Sequence, residues 1–241
     1  MIIAEIGQNH CGDMALAKKL IELAKEYRAD LVKFQLYDHN QLYKEHPEIP
    51  DVALSFDQAK MLFDYGTEIG IEVFFSVFDV ERVKWCEEIG VKRYKIACGM
   101  SDIPTMEAIA KTGKPVIMSM NDDTDGGYHC GSTKAQVDYL YCVSKYPTQL
   151  SDLHFESGLF EDTGDTLGSS DGRGEYHREY DGLSDHSIGL DACKIALARG
   201  ASIIEKHFAI DHKTGIDAKW SMTPDELKEL VRFKNVVSEV L

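Results

Sequence analysis

Two histidines stand where predicted strands give way to loops, and imidazole is a common ligand of divalent metal ions. His186 lies in LSDHSIG and His207 in IIEKHF, and a helical pattern from Asp191 to Arg199 separates them. In a parallel α/β protein, the carboxyl ends of neighbouring strands open into the same cavity. The spacing therefore predicts that both imidazoles meet at one bound cation.

An acidic residue accompanies each histidine. Asp185 directly precedes His186, and Glu205 lies two residues before His207. Such a carboxylate can orient a metal-bound imidazole, or it can act as a base near a metal-bound reactant. The residue types leave both roles open.

Lysines inside apolar runs are a second unusual feature. Lys33 in LVKFQ and Lys95 in YKIACG each place a charge in a predicted buried strand, which is costly unless the charge is paired or reaches the open end. One such lysine can be explained by a side chain that reaches solvent. Two on separate strands, with Ser76, Ser119 and Ser184 near other strand ends, indicate a cage for a phosphate or carboxylate.

The end of the first strand, AEIGQNHCGD, carries a further acid, Glu5. A buried glutamate at a strand end can be the structural partner of a neighbouring lysine or a base, and the sequence favours neither. Six other histidines lie in polar surroundings and are predicted to be solvated: His39, His46, His129, His154, His177 and His212. No Walker A or GxGxxG motif is present.

Length and charge limit the class of protein. A chain of 241 residues matches a single (β/α)8 barrel, which has about 250 residues. The net charge of −15 argues against general affinity for nucleic acid or anionic membranes, and an anionic substrate would need local cations. No signal peptide or membrane span is recognisable. We expect a cytoplasmic protein whose six cysteines are reduced.

Eight short apolar runs alternate with amphipathic segments. The runs are IIAEI, LVKFQL, IEVFFSV, RYKIA, PVIMSM, YLYCV, DGLS and ASIIEK, and helical periodicity covers 13–27, 56–69, 80–89, 103–112 and 191–199. A last helix is expected near Thr223, which can cap it before Pro224. The alternation predicts an α/β fold, a (β/α)8 TIM barrel forming one domain over residues 1–241. The polar segments 121–134 and 151–180 predict a reduced fifth helix and an irregular segment in place of the sixth.

Several segments resemble, in order, the catalytic barrel of the sialic acid synthase family. They are AEIGQNHCGDMALAKKLIELAKEYRADLVKFQ, YKIACG, SKYPT, DGLSDHS, GASIIEKHF and SMTPDEL. The resemblance implies a transferase that condenses phosphoenolpyruvate with an N-acetylhexosamine-type aldose, such as N-acetylmannosamine, to give a sialic acid-like nonulosonic acid and phosphate. It also implies a divalent ion, Mn²⁺ or Mg²⁺, held by His186 and His207. A homodimer is expected.

The same resemblance implies roles for individual residues. Phosphoenolpyruvate-binding positions match Lys33, Ser76, Lys95, Ser119 and Ser184, and positions near the sugar match Glu5, Gln35, Tyr146 and Asp217. Glu205 matches an acid that handles the attacking water. The implied catalytic residues are Glu205, Glu5 and Lys95.

The chain departs from the family pattern at three points. Cys98 stands where serine is usual, and Ser144 stands where asparagine is common. The sequence ends at Leu241, so the small antifreeze-like domain, which in many relatives supplies an arginine to the partner subunit's sugar site, is expected to be absent. The segment 151–180 either closes over the sugar, with Arg173 or Arg178 as the cation, or is an insertion without function.

Two alternatives remain open at this point. A synthase of the sugar-phosphate type, making a shorter 3-deoxy-keto acid phosphate, would need a second basic cluster, for which the irregular segments offer only Lys134, Arg173 and Arg178. A non-catalytic anion-binding barrel would keep the cationic cage alone. Glu205 beside two histidines argues against the latter.

Overall fold

Eight parallel strands pair in chain order, and β8 pairs with β1, so that the sheet closes into a barrel. The computed structural model describes residues 1–100, 102–121, 135–155, 159–160 and 180–240. The strands are β1 Ile2–Gly7, β2 Leu31–Leu36, β3 Glu72–Val77, β4 Tyr94–Ile96, β5 Val116–Met120, β6 Val137–Cys142, β7 Gly182–Asp185 and β8 Ile203–His207. The helices are α1 Met14–Glu26, α2 His39–Leu42, α3 Phe56–Ile69, α4 Val80–Ile89, α5 Ile103–Thr112, α6 Asp191–Ala198 and α7 Pro224–Val240. The predicted TIM barrel is confirmed.

The interior of the barrel is built in layers, because alternate residues of a strand point to the same side. The lower layer is apolar and consists of Ile3, Leu31, Phe74, Ile117, Leu140 and Ile203. Two residues further along the same strands, the inward side chains become polar or reactive: Glu5, Lys33, Ser76, Ser119, Cys142 and Glu205. The apolar layer forms an apolar plug in the barrel, and the polar site lies above it at the carboxyl ends of the strands.

The outward faces of the strands pack under the helices, where Val32, Phe34 and Leu36 of β2 are fully buried in the main core. Burial on both faces explains why these strands are almost continuously apolar. The close approach of β7 to β8 requires glycine at position 182, since a Cβ there would lie 1.8 Å from the carbonyl oxygen of Ile203.

The helix bounds follow the predicted periodicity and capping signals. The segments 56–69, 80–89 and 103–112 form α3, α4 and α5 with the predicted bounds. The predicted cap of the last helix is also confirmed: Glu226 N donates to Thr223 Oγ1, and Thr223 N donates to the Glu226 carboxylate at 2.7 Å. The short helix α2 was not predicted, because four residues carry no periodicity.

The two irregular segments are only partly described. After β6 the chain forms a 3₁₀ turn at Leu150–Asp152, and residues 122–134, 156–158 and 161–179 lie outside the described residues. The reduced fifth helix, the irregular replacement of the sixth and the proposed roles of Arg173 and Arg178 fall there and stay predictions. None of the helices that the structure describes is long and apolar enough to cross a membrane.

Candidate active site

A small open cavity of about 50 Å³ lies at the carboxyl ends of the strands. It is lined by Glu5, Lys33, Gln35, Ser76, Lys95, Ala97, Cys98, Ser119, Cys142, Tyr146, Ser184, His186, Glu205 and His207. The structure therefore brings together every predicted site residue except Asp217. Ala97, Cys98 and Cys142 complete the lining.

Both strand lysines are buried and paired. Lys33 Nζ lies 3.2 Å from Glu5 Oε2 and 3.3 Å from Glu205 Oε2. Lys95 Nζ donates to Ser119 Oγ at 2.7 Å and lies 3.7 Å from Glu205 Oε1. The alternative of lysines that reach solvent is wrong, because Lys33 is 3% exposed and Lys95 is 1% exposed. Glu205 therefore bridges the two cations.

The two buried glutamates have opposite pKa shifts. Burial alone would raise the pKa of Glu205, but Lys33, Lys95 and the hydrogen bond from Ser184 Oγ together lower it to about 2. Burial raises the pKa of Glu5, and the neighbouring Glu205 adds to this effect, which the Lys33 charge does not offset. Neighbouring carboxyls with separated pKa values are typical of acid and base pairs in active sites. Glu205 is the ionised member, and Glu5 keeps a proton more readily.

The histidine rings turn one nitrogen towards the protein and the other towards the cavity. His186 Nδ1 lies 3.1 Å from Val143 O, and His207 Nδ1 lies 3.3 Å from Asp217 Oδ2. Among the described residues, neither Nε2 has a hydrogen-bond partner. Imidazoles that bind metals are oriented by a carbonyl or carboxylate in this way.

The spacing of the two rings fits one divalent ion, although their pKa values are shifted in opposite directions. Their centroids are 5.5 Å apart, which is close enough for both rings to hold the same ion. Burial, with the neighbouring His207, lowers the pKa of His186 to about 4, so that its ring is neutral and able to bind a metal. Against the effect of burial, Asp217 and Glu5 raise the pKa of His207, so this ring has to release a proton when a metal binds. Within the described ranges no cluster of three or more His, Cys, Asp or Glu side chains completes a metal site. Water or substrate would take the other positions.

Of the two acids that accompany the histidines in the sequence, Asp185 does not have the orienting role considered above. Asp185 does not orient His186, because its carboxylate points away from the cavity and pairs with Lys206 at 2.6 Å. Adjacent residues on a strand face opposite sides, so Val143 O takes the orienting role. The acid that orients His207 is Asp217, from the loop after β8, and a contact of Asp217 with a sugar stays a prediction.

Comparison with known proteins settles the family. A model of the NeuB family matches residues 20–241.

The chain belongs to the NeuB family.

Among its relatives, the N,N'-diacetyllegionaminic acid synthase of Legionella pneumophila is 31% identical over 96% of this chain and 70% of its own length. The human N-acetylneuraminate-9-phosphate synthase is 31% identical over 100% of this chain and 70% of its own length. A solved sialic acid synthetase from Leptospira borgpetersenii, in complex with citrate, superposes with a TM-score of 0.84 at 32% identity, covering 99% of this chain and 84% of that one. The predicted resemblance is confirmed, and this NeuB-family protein is a transferase of the sialic acid synthase type.

One buried asparagine, which sequence reasoning left without a role, holds the loop that carries Asp217. Asn9 Oδ1 accepts from Asp217 N at 2.9 Å, while Asn9 Nδ2 donates to Phe208 O at 3.0 Å and to Ser221 Oγ at 2.9 Å. Asn9 is fully buried. Since it lies in the turn after β1 rather than in a periodic element, its spacing gave no signal. In this NeuB-family enzyme it ties the first strand to the loop that orients His207.

The two positions that depart from the family pattern are in contact. Cys98 hydrogen-bonds with Cys142 and with Ser144, and these bonds lower its pKa to about 6 against the effect of burial. The Cys142 thiol in turn lies 3.9 Å from His186 Nδ1. Cys98, which lines the cavity, and Ser144, which is exposed outside it, therefore belong to one local polar network.

Proposed function

We propose that this NeuB-family enzyme is a divalent-metal-dependent synthase that joins phosphoenolpyruvate to an acetamido aldose, such as N-acetylmannosamine, and releases a nonulosonic acid and phosphate. One observation carries the proposal. Two buried lysines and two imidazoles with free Nε2 atoms face a single cavity. The names of the relatives, which are synthases of such acids, support the product class.

Lys33 and Lys95 are the groups that would bind phosphoenolpyruvate. The protein as a whole repels anions, with a net charge of −15, so a highly charged anion needs concentrated local cations. Ser76, Ser119 and Ser184 line the same cavity and would add hydroxyl donors to the phosphate and carboxylate oxygens.

His186 and His207 would hold the divalent ion, Mn²⁺ or Mg²⁺. When bound, this ion would supply Lewis-acid polarisation of the aldehyde of the acceptor. Gln35 and Tyr146, at the cavity wall, would then position the sugar. Tyr146 is 53% exposed and packs on the His186 ring at 4.3 Å.

Proton transfer in the proposed reaction falls to the two glutamates. The methylene carbon of phosphoenolpyruvate forms a bond with the aldehyde carbon. The aldehyde oxygen takes up a proton, which Glu5 would donate. Water adds to the central carbon of the former enol and gives a proton to Glu205. The bond from that carbon to the phosphate oxygen then breaks as the ketone forms, and the leaving phosphate takes up the proton of the new hydroxyl.

Binding of phosphoenolpyruvate would itself raise the basicity of Glu205. Without substrate, Lys33 and Lys95 hold the pKa of Glu205 at about 2, where it is a weak base. An anion that binds both lysines shares their charge, so the pKa of Glu205 rises towards the range of an effective base. The carboxylate would thereby become reactive only when the substrate is in place.

No described residue favours the sugar-phosphate type of synthase. The lysines at the cavity are Lys33 and Lys95, and both are needed for phosphoenolpyruvate. The further cations that this alternative requires, Lys134, Arg173 and Arg178, lie outside the described residues. Membership of a family of synthases also favours an enzyme over a non-catalytic anion-binding barrel. The homodimer stays a prediction.

The direct test is phosphate release from phosphoenolpyruvate against a panel of aldoses, each with Mn²⁺ and with a chelator. We expect release only when an acetamido aldose and the metal are both present, and a nine-carbon or similar 2-keto acid as the product by mass spectrometry. Equal release with and without chelator would contradict the metal dependence. Release with a phosphorylated pentose or tetrose, but with no acetamido sugar, would contradict the acceptor class.

Replacement of Lys95 by methionine should weaken phosphoenolpyruvate binding by about 1.5 to 3 kcal/mol, the scale of a hydrogen bond to a charged group. Methionine keeps the length and the burial of the side chain but removes the charge next to Ser119. Calorimetry of wild type and Lys95→Met, with the exposed Lys111→Met as the control, measures the difference. Equal affinity in wild type and Lys95→Met would remove Lys95 from the anion site.

A further inference from the structure

A second ionic network lies directly behind the two histidines, on the outer face of the barrel. Lys206 Nζ contacts Asp185 Oδ2 at 2.6 Å and donates to Ser187 O at 2.7 Å, and Ser187 N donates to Asp185 Oδ1 at 2.9 Å. The Cys193 thiol of α6 donates to the same carboxylate at 3.2 Å. The side chains of Asp185 and Lys206 are both 0% exposed.

The position of this network in the sequence connects it with the proposed metal site. Asp185 precedes His186 and Ser187 follows it, so both neighbours of His186 are bound to Lys206. Lys206 itself directly precedes His207 on the adjacent strand, in register with Asp185. The Asp185–Lys206 ion pair therefore connects the two residues that flank His186 to the residue that directly precedes His207.

A contribution to overall stability does not explain why the Asp185–Lys206 ion pair is buried. Desolvation of two charges offsets most of their attraction, and apolar replacements of buried ion pairs are often neutral or stabilising. A constraint on backbone geometry does explain it, because the contacts of Lys206 with Asp185 and Ser187 are short and fix the chain on both sides of His186. Changes in the outer partners of metal ligands typically weaken metal binding about 10 to 100-fold.

We infer that Asp185 and Lys206 are positioning residues, which hold His186 and His207 at the spacing that one divalent ion requires. The inference rests on the proposed function, since it presumes that the two histidines bind the ion. Neither residue lines the cavity, so neither touches the substrate.

The test compares Mn²⁺ and phosphoenolpyruvate affinities of the metal-free full chain by calorimetry, together with its melting temperature. The variant Asp185→Leu with Lys206→Met removes both charges together, so that neither charge is left unpaired in the interior, while Ser187 and the Cys193 thiol lose their bonds to the pair. We expect Mn²⁺ affinity to fall about 10 to 100-fold, while phosphoenolpyruvate affinity stays within about threefold and the melting temperature changes little. A merely structural role would lower the melting temperature and both affinities together, which would overturn the inference.

A matched control is the ion pair Arg93–Glu72, which joins β3 to the start of β4 at 2.7 Å and does not contact the cavity. Glu72→Gln with Arg93→Met should leave Mn²⁺ affinity unchanged. If the first double variant does not fold, Asp185→Asn with Lys206→Gln takes its place. The new side chain at position 206 is one atom too short to keep both contacts, so Mn²⁺ affinity should still fall.

The outcomes separate two kinds of failure. If wild type binds no Mn²⁺, the proposed metal dependence fails and the positioning inference fails with it. If wild type binds Mn²⁺ and the folded variants bind it equally well, only the positioning inference is overturned.

Discussion

Replacement of Glu205 by glutamine should lower kcat about 10² to 10⁴-fold, the usual contribution of a positioned acid or base. Glutamine keeps the shape of the side chain and can still contact Ser184, but it cannot take the proton of the attacking water. The KM for phosphoenolpyruvate should stay the same or fall, because the negative charge between Lys33 and Lys95 is removed. Steady-state phosphate release measures both constants.

The control for Glu205→Gln is Glu229→Gln on α7, where the carboxylate is half-exposed and pairs with Lys194. It should leave both constants unchanged. A kcat for Glu205→Gln within about threefold of wild type would remove Glu205 from the proton transfer, whatever happens to KM.

Replacement of either His186 or His207 by alanine should lower Mn²⁺ affinity at least about 100-fold, above the range for outer partners of a ligand. Each change removes one of two protein nitrogens and leaves a small cavity in a barrel whose apolar plug is untouched, so the fold should survive. Calorimetry and metal analysis after dialysis give the affinity and the stoichiometry.

The control for loss of an imidazole is His212→Ala. The His212 side chain is 48% exposed and is far less buried than either candidate ligand. Unchanged metal stoichiometry in both His186→Ala and His207→Ala would show that the histidines do not hold the ion. Loss in one variant alone would reduce the protein ligands to a single imidazole.

Much of the fold and of the cavity lining could be predicted, because both depend on periodicity. Glu205 and His207 lie two residues apart on β8 and therefore face the same side, and both line the cavity. The same rule turns Asp185 away from His186. Sequence adjacency alone therefore suggested a role for Asp185 that the pleat of the strand excludes.

Loop contacts were beyond prediction from periodicity. The contact of Asp217 with His207 depends on the path of an irregular loop, and the Asn9 bonds that fix this loop cross about the whole length of the chain. His39 was predicted to be solvated, but its side chain is only 14% exposed and packs on Tyr43. His46, His154 and His212 are exposed as predicted, while His129 and His177 lie outside the described residues.

The bonds made by Asn9 also determine when the site can exist during folding. Asn9 contacts Phe208, Asp217 and Ser221, partners that follow it by 199, 208 and 212 residues. Contacts at such sequence separation carry a large loop-closure entropy and form slowly. The imidazole of His207 therefore acquires its orientation only when the first and last strands have met. A ligand that requires this orientation binds only the closed barrel, so its binding energy adds to the stability of the seam between β1 and β8.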